Sequence, residues 1–270
     1  MSAPEIKVSI DKLAKQFKTR RGTVTAVEEV SLQVREGEFL VIVGPSGCGK
    51  TTLIRVLAGL EQASSGKMDL AHRDPKRPLN SMIFQEQSIF PWMTVRQNIG
   101  YGLRMRRVEP AVRDEVVERH MRMVGLTKFA DAFPHQLSGG MKQRVSIARA
   151  FANDPEILFM DEPFAALDEQ NKILLQQELL KIWEGSNKTV VYITHSIDEA
   201  LNLGDRVMVM TAHPGRVKSV IDIDLPRPRS ITDVRGNPRF MELFQQIWGH
   251  LREEVLRAKQ EEGLVLDGTG

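Results

Sequence analysis

Apolar residues in this chain recur in two rhythms. Between residues 6 and 43 short apolar runs alternate with polar turns (Val8-Ser-Ile10, Val30-Ser-Leu-Gln-Val34 and Phe39-Leu-Val-Ile-Val43), a pattern that predicts strands. From about Gly49 the spacing turns helical, with Leu53, Val56, Leu57 and Leu60 on one face and Gly59 and Gly66 punctuating the end. From about Glu86 to Leu137 no buried strand is evident. There Val112, Val116, Val117, His120, Met121 and Val124 form an amphipathic stripe, which reads as a helical insert. Further on, Ile157-Leu-Phe-Met160, Val190-Val-Tyr-Ile193 and Val207-Met-Val-Met210 are candidate buried strands, separated by helical segments at 169–184 and 197–203. Strands alternating with helices predict a mostly parallel sheet. Leu225-Pro-Arg-Pro-Arg229 is too proline-rich for regular structure. Residues 237–260 then read as one amphipathic helix carrying Phe240, Leu243, Phe244, Ile247, Leu251 and Val255. It looks like an appended element, and Asp267–Gly270 reads as a disordered end.

Composition narrows the setting. A chain of 270 residues can bury one large α/β core, or one core and a smaller subdomain. Lys and Arg number 37 against 35 Asp and Glu, a balance that does not favour nucleic acid as a partner. The single cysteine, Cys48, excludes an internal disulfide and any multi-cysteine zinc site, which fits a reducing compartment. The first ten residues lack the apolar core of a signal peptide, so the protein is expected to stay in the cytosol. The longest apolar stretches are strand-sized, far short of the ~20 residues of a spanning helix. Any membrane role therefore requires a partner.

The chemistry begins where the run 39–43 meets Gly44-Pro45-Ser46-Gly47-Cys48-Gly49-Lys50-Thr51. A buried strand, a glycine-rich turn and a helix in this order make a phosphate cradle, because glycines let several N–H groups converge on one anion at a helix start. Lys50 is placed to reach the β- and γ-phosphates, and the Thr51 hydroxyl to ligate Mg²⁺. The chain is expected to bind a nucleoside triphosphate. Cys48 inside this loop reads either as an oxidisable thiol or as a small residue whose N–H matters. Asp161 and Glu162 follow the candidate strand 157–160, where ligands sit in open α/β sheets. Asp161 suits the Mg²⁺ shell and Glu162 suits polarising an attacking water. Gln85 and His195 also follow apolar strands. Alone, a histidine at a strand end is more often structural and a glutamine there is unremarkable, yet a γ-phosphate site needs a group to hold the water and a donor for the transferred charge. In His135-Gln-Leu-Ser-Gly-Gly-Met-Lys-Gln-Arg144, Ser138 can cap a helix while Gly139 and Gly140 allow close backbone approach to an anion.

Taken in order, Gly44 to Thr51, Gln85, Leu137-Ser-Gly-Gly-Met141, Leu158-Phe-Met-Asp-Glu-Pro163, Ala166-Leu-Asp168 and His195 resemble ABC transporter ATPase subunits over about residues 5–215. The resemblance implies an α/β fold: a RecA-like P-loop NTPase core with a mostly parallel sheet, an antiparallel β subdomain, a helical insert and a C-terminal helical extension. It divides the chain into an ATPase domain at 5–225, with core and β subdomain at 5–86 and 150–225 and a helical subdomain at 87–149. An extension at 226–262 and a tail at 263–270 follow. It also implies ATP and Mg²⁺ as cofactors. Phe17, Gly44, Pro45, Ser46, Gly47, Cys48, Gly49, Lys50, Thr51 and Thr52 would bind ATP; Glu162, His195, Gln85 and Lys50 would be catalytic; Thr51, Gln85 and Asp161 would hold the metal. Leu137, Ser138, Gly139, Gly140 and Met141 would form the signature loop, acting in trans on a second cassette, with Asp168 in the D-loop. Phe17 stands where the family usually stacks a tyrosine or another aromatic on adenine, and Met141 where many members carry glutamine; neither departure is expected to abolish function.

Four stretches resemble the nitrate, sulfonate and taurine importers most: Phe90-Pro-Trp-Met-Thr-Val-Arg-Gln-Asn98, 133–141, Ala212-His-Pro-Gly-Arg216 and 225–229. The implied function is the motor of a bacterial importer of a small, anionic solute, at the cytoplasmic side of the inner membrane. A binding protein would take part indirectly. The cluster Phe90, Pro91, Trp92 and Met93 reads either as a groove for a permease helix or as core, and Arg104, Arg106 and Arg107 as a lipid contact or a solvated face. The alternative function is a soluble, non-transport ABC ATPase acting on nucleic acid, ribosomes or cofactor assembly. Co-purification with an integral membrane protein discriminates between them.

Overall fold

The computed structural model describes residues 5–20, 22–85, 88–165, 167–186 and 188–261. Asp267–Gly270, expected to be disordered, and Ala166 of the Ala-Leu-Asp motif lie outside them. The chain forms two compact units, one built from Met1–Ala71 with Thr189–Gly270 and the other from His72–Lys188.

The first unit carries two sheets. Strands β1 (Ile6–Thr19) and β2 (Gly22–Arg35) pair antiparallel, and β4 (Ser65–Leu70) joins the free side of β1, giving the order β2-β1-β4. The apolar runs at Val8–Ile10 and Val30–Val34 are only the middles of these fourteen-residue strands. Lys12 and Glu29, at φ 47 and 48°, lie where the β1–β2 register shifts, and such bulges let each strand continue past the point where alternation breaks. In the second sheet β3 (Phe39–Val43) lies between β7 (Thr189–Ile193) and β8 (Arg206–Met210), all parallel, with β9 (Val217–Asp222) antiparallel outside β8. Every residue of β3 and β7 is buried, which is why both read as continuous apolar runs. Helix α1 (Lys50–Leu57) follows β3 and stops at Gly59, φ 75°, whereas Gly66 lies in β4.

The C-terminal segment belongs to this unit. Beyond α7 (Ile197–Leu203), the short α8 (Ile231–Val234) leads into α9 (Pro238–Glu261), which packs on α7, β8 and β9 and buries Phe240, Leu243, Ile247 and Leu251. Each such side chain contributes roughly 1.5–3 kcal/mol. The proline-rich link is irregular, as expected, but arginines fix it. Arg229 is buried and donates to the carbonyls of Leu201 (3.0 Å), Gly204 (2.6 Å) and Leu225 (3.2 Å). Arg227 donates to Asp205 (2.8 Å) and to the Leu203 carbonyl (2.7 Å).

The second unit contains the parallel pair β5 (Asn80–Ile83) and β6 (Ile157–Asp161) with helices α2 (Val95–Ile99), α3 (Tyr101–Met105), α4 (Pro110–Met123), α5 (Gly139–Ala152) and α6 (Glu169–Glu184). Both α2 and α4 pack on α5. The expected stripe on α4 divides: Val117, His120, Met121 and Val124 are buried, while Val112 is 50% exposed. Trp183, near the end of α6, is buried with Nε1 donating to the Lys188 carbonyl at 2.8 Å. Among the described residues no helix is long and apolar enough to cross a membrane.

Candidate functional site

In the first unit the phosphate loop follows β3 and ends at α1. Gly47 and Gly49 sit at φ 74 and 98°, a region that side chains disfavour. A Cβ on Gly49 would also lie 2.4 Å from the Ala26 carbonyl oxygen, so both conformation and space demand glycine there. Lys50 is buried and folds back over the loop, donating to the carbonyls of Gly44 (2.8 Å) and Pro45 (2.9 Å). Thr51 and Thr52 occupy the first turn of α1, half-buried. Cys48 is buried; desolvation pushes its thiol pKa up, against the opposing pull of Lys50. Phe17, on β1, exposes 36% of its surface, and the Lys15 ammonium lies 4.7 Å from its ring centroid. An exposed aromatic on a β surface is suited to stacking.

A loop that sequence reasoning did not connect to this site supports it from behind. Gly215 donates to the Ala26 carbonyl at 3.1 Å and accepts from Glu28 N–H at 2.9 Å. A Cβ there would lie 2.1 Å from the Cys48 carbonyl oxygen. The available signal was the glycine in Ala212-His-Pro-Gly-Arg216. The same loop is tied to the C-terminal helix: Glu254 accepts from the Ala212 N–H at 2.8 Å and from Lys218 at 2.8 Å.

His195 is exposed, one residue beyond Thr194 at the end of β7. A buried carboxylate, Glu199, orders the backbone around it by accepting from Tyr192 Oη (2.8 Å) and Thr194 Oγ1 (2.7 Å). Thr194 Oγ1 in turn accepts from Ser196 N–H at 3.0 Å, and the Ser196 side chain caps α7. The Ser-x-x-Glu spacing at 196–199 signals a capping box. Here, however, the Ser196 N–H goes to Thr194 Oγ1, and the glutamate carboxylate instead holds the strand end that presents His195.

In the second unit, register decides the arrangement. Ile83 pairs with Met160, so Gln85 and Glu162, each two residues further on, leave the same carboxyl end of a parallel pair. Gln85 Nε2 lies 3.5 Å from Glu162 Oε2. Glu162 has φ 43°, a left-handed conformation that costs a non-glycine residue about 1–2 kcal/mol and recurs at functional positions. Asp161 is buried at the end of β6, 2% exposed. Leu137 is buried, whereas Ser138 and Gly139 are exposed at the start of α5. Ser138 caps that helix, its Oγ accepting from Met141 N–H at 3.3 Å. Asp168 caps α6, and the hydrogen bonds it accepts from Asn171 Nδ2 (2.7 Å) and N–H (3.0 Å) hold its pKa below the usual carboxylate range.

The Phe90–Met93 cluster splits between its two readings. Ile89 beside it is buried, Trp92 is 68% exposed, and Phe90 is ringed by Tyr101 (4.6 Å between centroids), Trp92 (5.4 Å) and the Arg149 guanidinium (5.2 Å). Fully buried Asn98 fixes the loop, accepting from Phe90 N–H (2.8 Å) and donating to the carbonyls of Phe90 (3.1 Å), Met93 (3.0 Å) and Thr94 (3.1 Å). Of the neighbouring arginines, Arg104 lies over the Tyr101 ring, and Arg106 donates to the carbonyls of Lys76 and Asn153.

Residues 27–165 match the ABC transporter family. The chain belongs to that family. It is an ATP-binding cassette, an ATPase coupled to transport. The cassette is 47% identical over 256 residues to an uncharacterized ABC transporter ATP-binding protein of Methanocaldococcus jannaschii, covering 94% of each chain. It is 40% identical over 260 residues to the aliphatic sulfonates import ATP-binding protein SsuB of Bacillus cereus, covering 96% of this chain and 98% of SsuB. A dimeric ATP-binding cassette solved in a post-hydrolysis state with ADP and Pi superposes with TM-score 0.71 at 30% identity, covering 80% of this cassette and 98% of that chain. The α/β fold with parallel and antiparallel sheets is that of such cassettes.

Proposed function

We propose that this cassette is the motor of a bacterial importer, hydrolysing ATP in a head-to-tail dimer to drive uptake of a small anionic solute such as a sulfonate, nitrate or taurine. The observation that carries the reading is Glu162, a carboxylate held in left-handed backbone at a strand end beside Gln85. In this reading Glu162 takes the proton of the attacking water, Gln85 positions that water, and Lys50 and His195 meet the charge on the γ-phosphate. Phe17 stacks on adenine, and the loop from Gly44 to Thr52 holds the phosphates. The D-loop residue Asp168 shapes the dimer contact through the turn it caps.

The donors present suit Mg²⁺, a hard cation that takes a few protein oxygens and fills its remaining positions from phosphate and water. Thr51 offers a hydroxyl, Gln85 an amide oxygen and the buried Asp161 a carboxylate, while no group of three or more His, Cys, Asp or Glu residues stands ready for an all-protein site among the described residues. Bound there, Mg²⁺ would neutralise charge on the β- and γ-phosphates.

Gly140 supports action of the signature loop on a second cassette. Nothing lies within 4 Å of where its Cβ would stand, so no internal packing among the described residues calls for glycine. Close approach by an external phosphate does. The partner at the membrane is a permease helix docking at Phe90, Pro91, Trp92 and Met93. Tyr101 and Arg149, which flank Phe90, also line a cavity of about 560 Å³ with Met82 and Met105, and Trp92, its ring 5.4 Å from that of Phe90, presents exposed aromatic surface. The cassette would then sit on the cytoplasmic side of the inner membrane, with the binding protein meeting the permease on the other side. The 40% identity to SsuB supports the sulfonate end of the solute range.

Glu162→Gln should cut ATP turnover by about 100-fold or more while ATP still binds, leaving a nucleotide-bound dimer visible by size-exclusion chromatography. Phosphate release within twofold of the unsubstituted protein would remove Glu162 from its role.

A further inference from the structure

The second unit contains a cavity of about 700 Å³, formed by α3, α4, the ends of α5 and α6 and the segments beside them. One part of its wall is apolar: Leu103, Val112, Val116, Met123, Phe151 and Ile182. Val112 and Met123 leave 50 and 42% of their surface uncovered, an apolar strip on α4 that its own helix neighbours do not cover. The other part is cationic, with Arg77, Arg106, Arg119 and Lys188 facing a single carboxylate, Asp154. That carboxylate is already taken, since Lys188 and Arg77 both pair with it. Lys188 is buried, and desolvation pushes its pKa down. Arg106 is held on backbone carbonyls, which leaves its charge uncompensated. The Arg119 side chain is exposed and has no hydrogen bond or ion pair among the described residues. His120 donates Nδ1–H to the Val116 carbonyl at 2.7 Å, and burial lowers its pKa, so the ring adds no charge near neutrality.

Of these cations only Lys188 is buried, while Arg106 and Arg119 are exposed, and with the one carboxylate engaged the wall carries a net positive charge that attracts an anion. Guanidinium groups match the planar or tripodal oxygens of carboxylates and sulfonates. An inorganic anion, though, would leave the apolar wall in water, and the volume falls within the range of about 300–1,000 Å³ typical of small-molecule sites. We propose that this cavity binds a small organic anion with a short apolar tail, its head group on Arg119 and the neighbouring cations and its tail against Val116, Phe151 and Ile182. None of the lining residues belongs to the phosphate loop, the Gln85–Glu162 pair or the signature loop, so this ligand is distinct from the nucleotide.

The test is calorimetric titration of the full chain with hexane-1-sulfonate, with sodium sulfate at matched ionic strength and with hexan-1-ol. Saturable one-site binding of hexane-1-sulfonate is expected, with sulfate and hexanol each at least about tenfold weaker. Arg119→Ala and Val116→Gln should each weaken it by about tenfold while ATP affinity stays unchanged, which reports an intact fold. Absence of saturable binding, sulfate or hexanol binding as tightly as the sulfonate, or unchanged affinity in both variants would overturn the assignment.

Discussion

Ser138 and Gly140 stand two residues apart at the head of α5 and separate stability from activity. Ser138 caps the helix, so Ser138→Ala should cost about 1 kcal/mol of stability. Gly140 meets no neighbour where a Cβ would stand, and alanine is the better helix former by up to about 1 kcal/mol. If the signature loop works on a second cassette's nucleotide, Gly140→Ala should leave thermal stability equal or higher and still lower ATPase activity, with Ser138→Ala lowering both. Melting temperature measured beside phosphate release decides it; full activity in Gly140→Ala would refute the trans role. Cys48 favours the small-residue reading over the oxidisable one, because a buried thiol with a raised pKa holds little thiolate.

At the scale of elements, the phosphate loop depends on a segment nearly 170 residues away in sequence. Gly215 lies against its backbone, and a methyl group there would sit 2.1 Å from the Cys48 carbonyl oxygen. Gly215→Ala should therefore weaken ATP binding by about tenfold or more, with a smaller effect on global unfolding, since the clash falls on the loop while β3 and β8 stay paired. Equilibrium binding of a fluorescent ATP analogue alongside a urea melt would measure both, and unchanged nucleotide affinity would show that the loop yields. Such a dependence is hard to read from a sequence, because pairing across long separations leaves no local pattern. The helices at 169–184 and 197–203 were legible to the residue, since capping side chains and apolar periodicity are local. Strands β4 and β9 were not: Ser65–Leu70 is almost wholly exposed and Val217–Asp222 lies at a sheet edge, so neither had to carry an apolar run. Gln85 and Glu162 were visible in sequence as polar residues after apolar strands, but their approach to 3.5 Å follows from the β5–β6 register alone.

For the whole molecule, the residues proposed for the nucleotide chemistry fall in both units: the phosphate loop and His195 in the first, Gln85, Asp161, Glu162 and the signature loop in the second. The C-terminal extension reads as appended in sequence, yet it shares the first unit's core through Phe240, Leu243, Ile247 and Leu251 and anchors the loop behind Cys48 through Glu254. Its packing role is therefore established. The three tryptophans occupy three environments, with Trp92 68% exposed, Trp248 46% exposed and Trp183 buried with its indole N–H bonded. The protein thus carries its own optical probes. In a Trp248→Phe background, red-edge emission would come from Trp92 and blue-edge emission from Trp183. A permease docking at Phe90–Met93 should shield the first from acrylamide and leave the second as it was; equal quenching with and without permease would place the contact elsewhere.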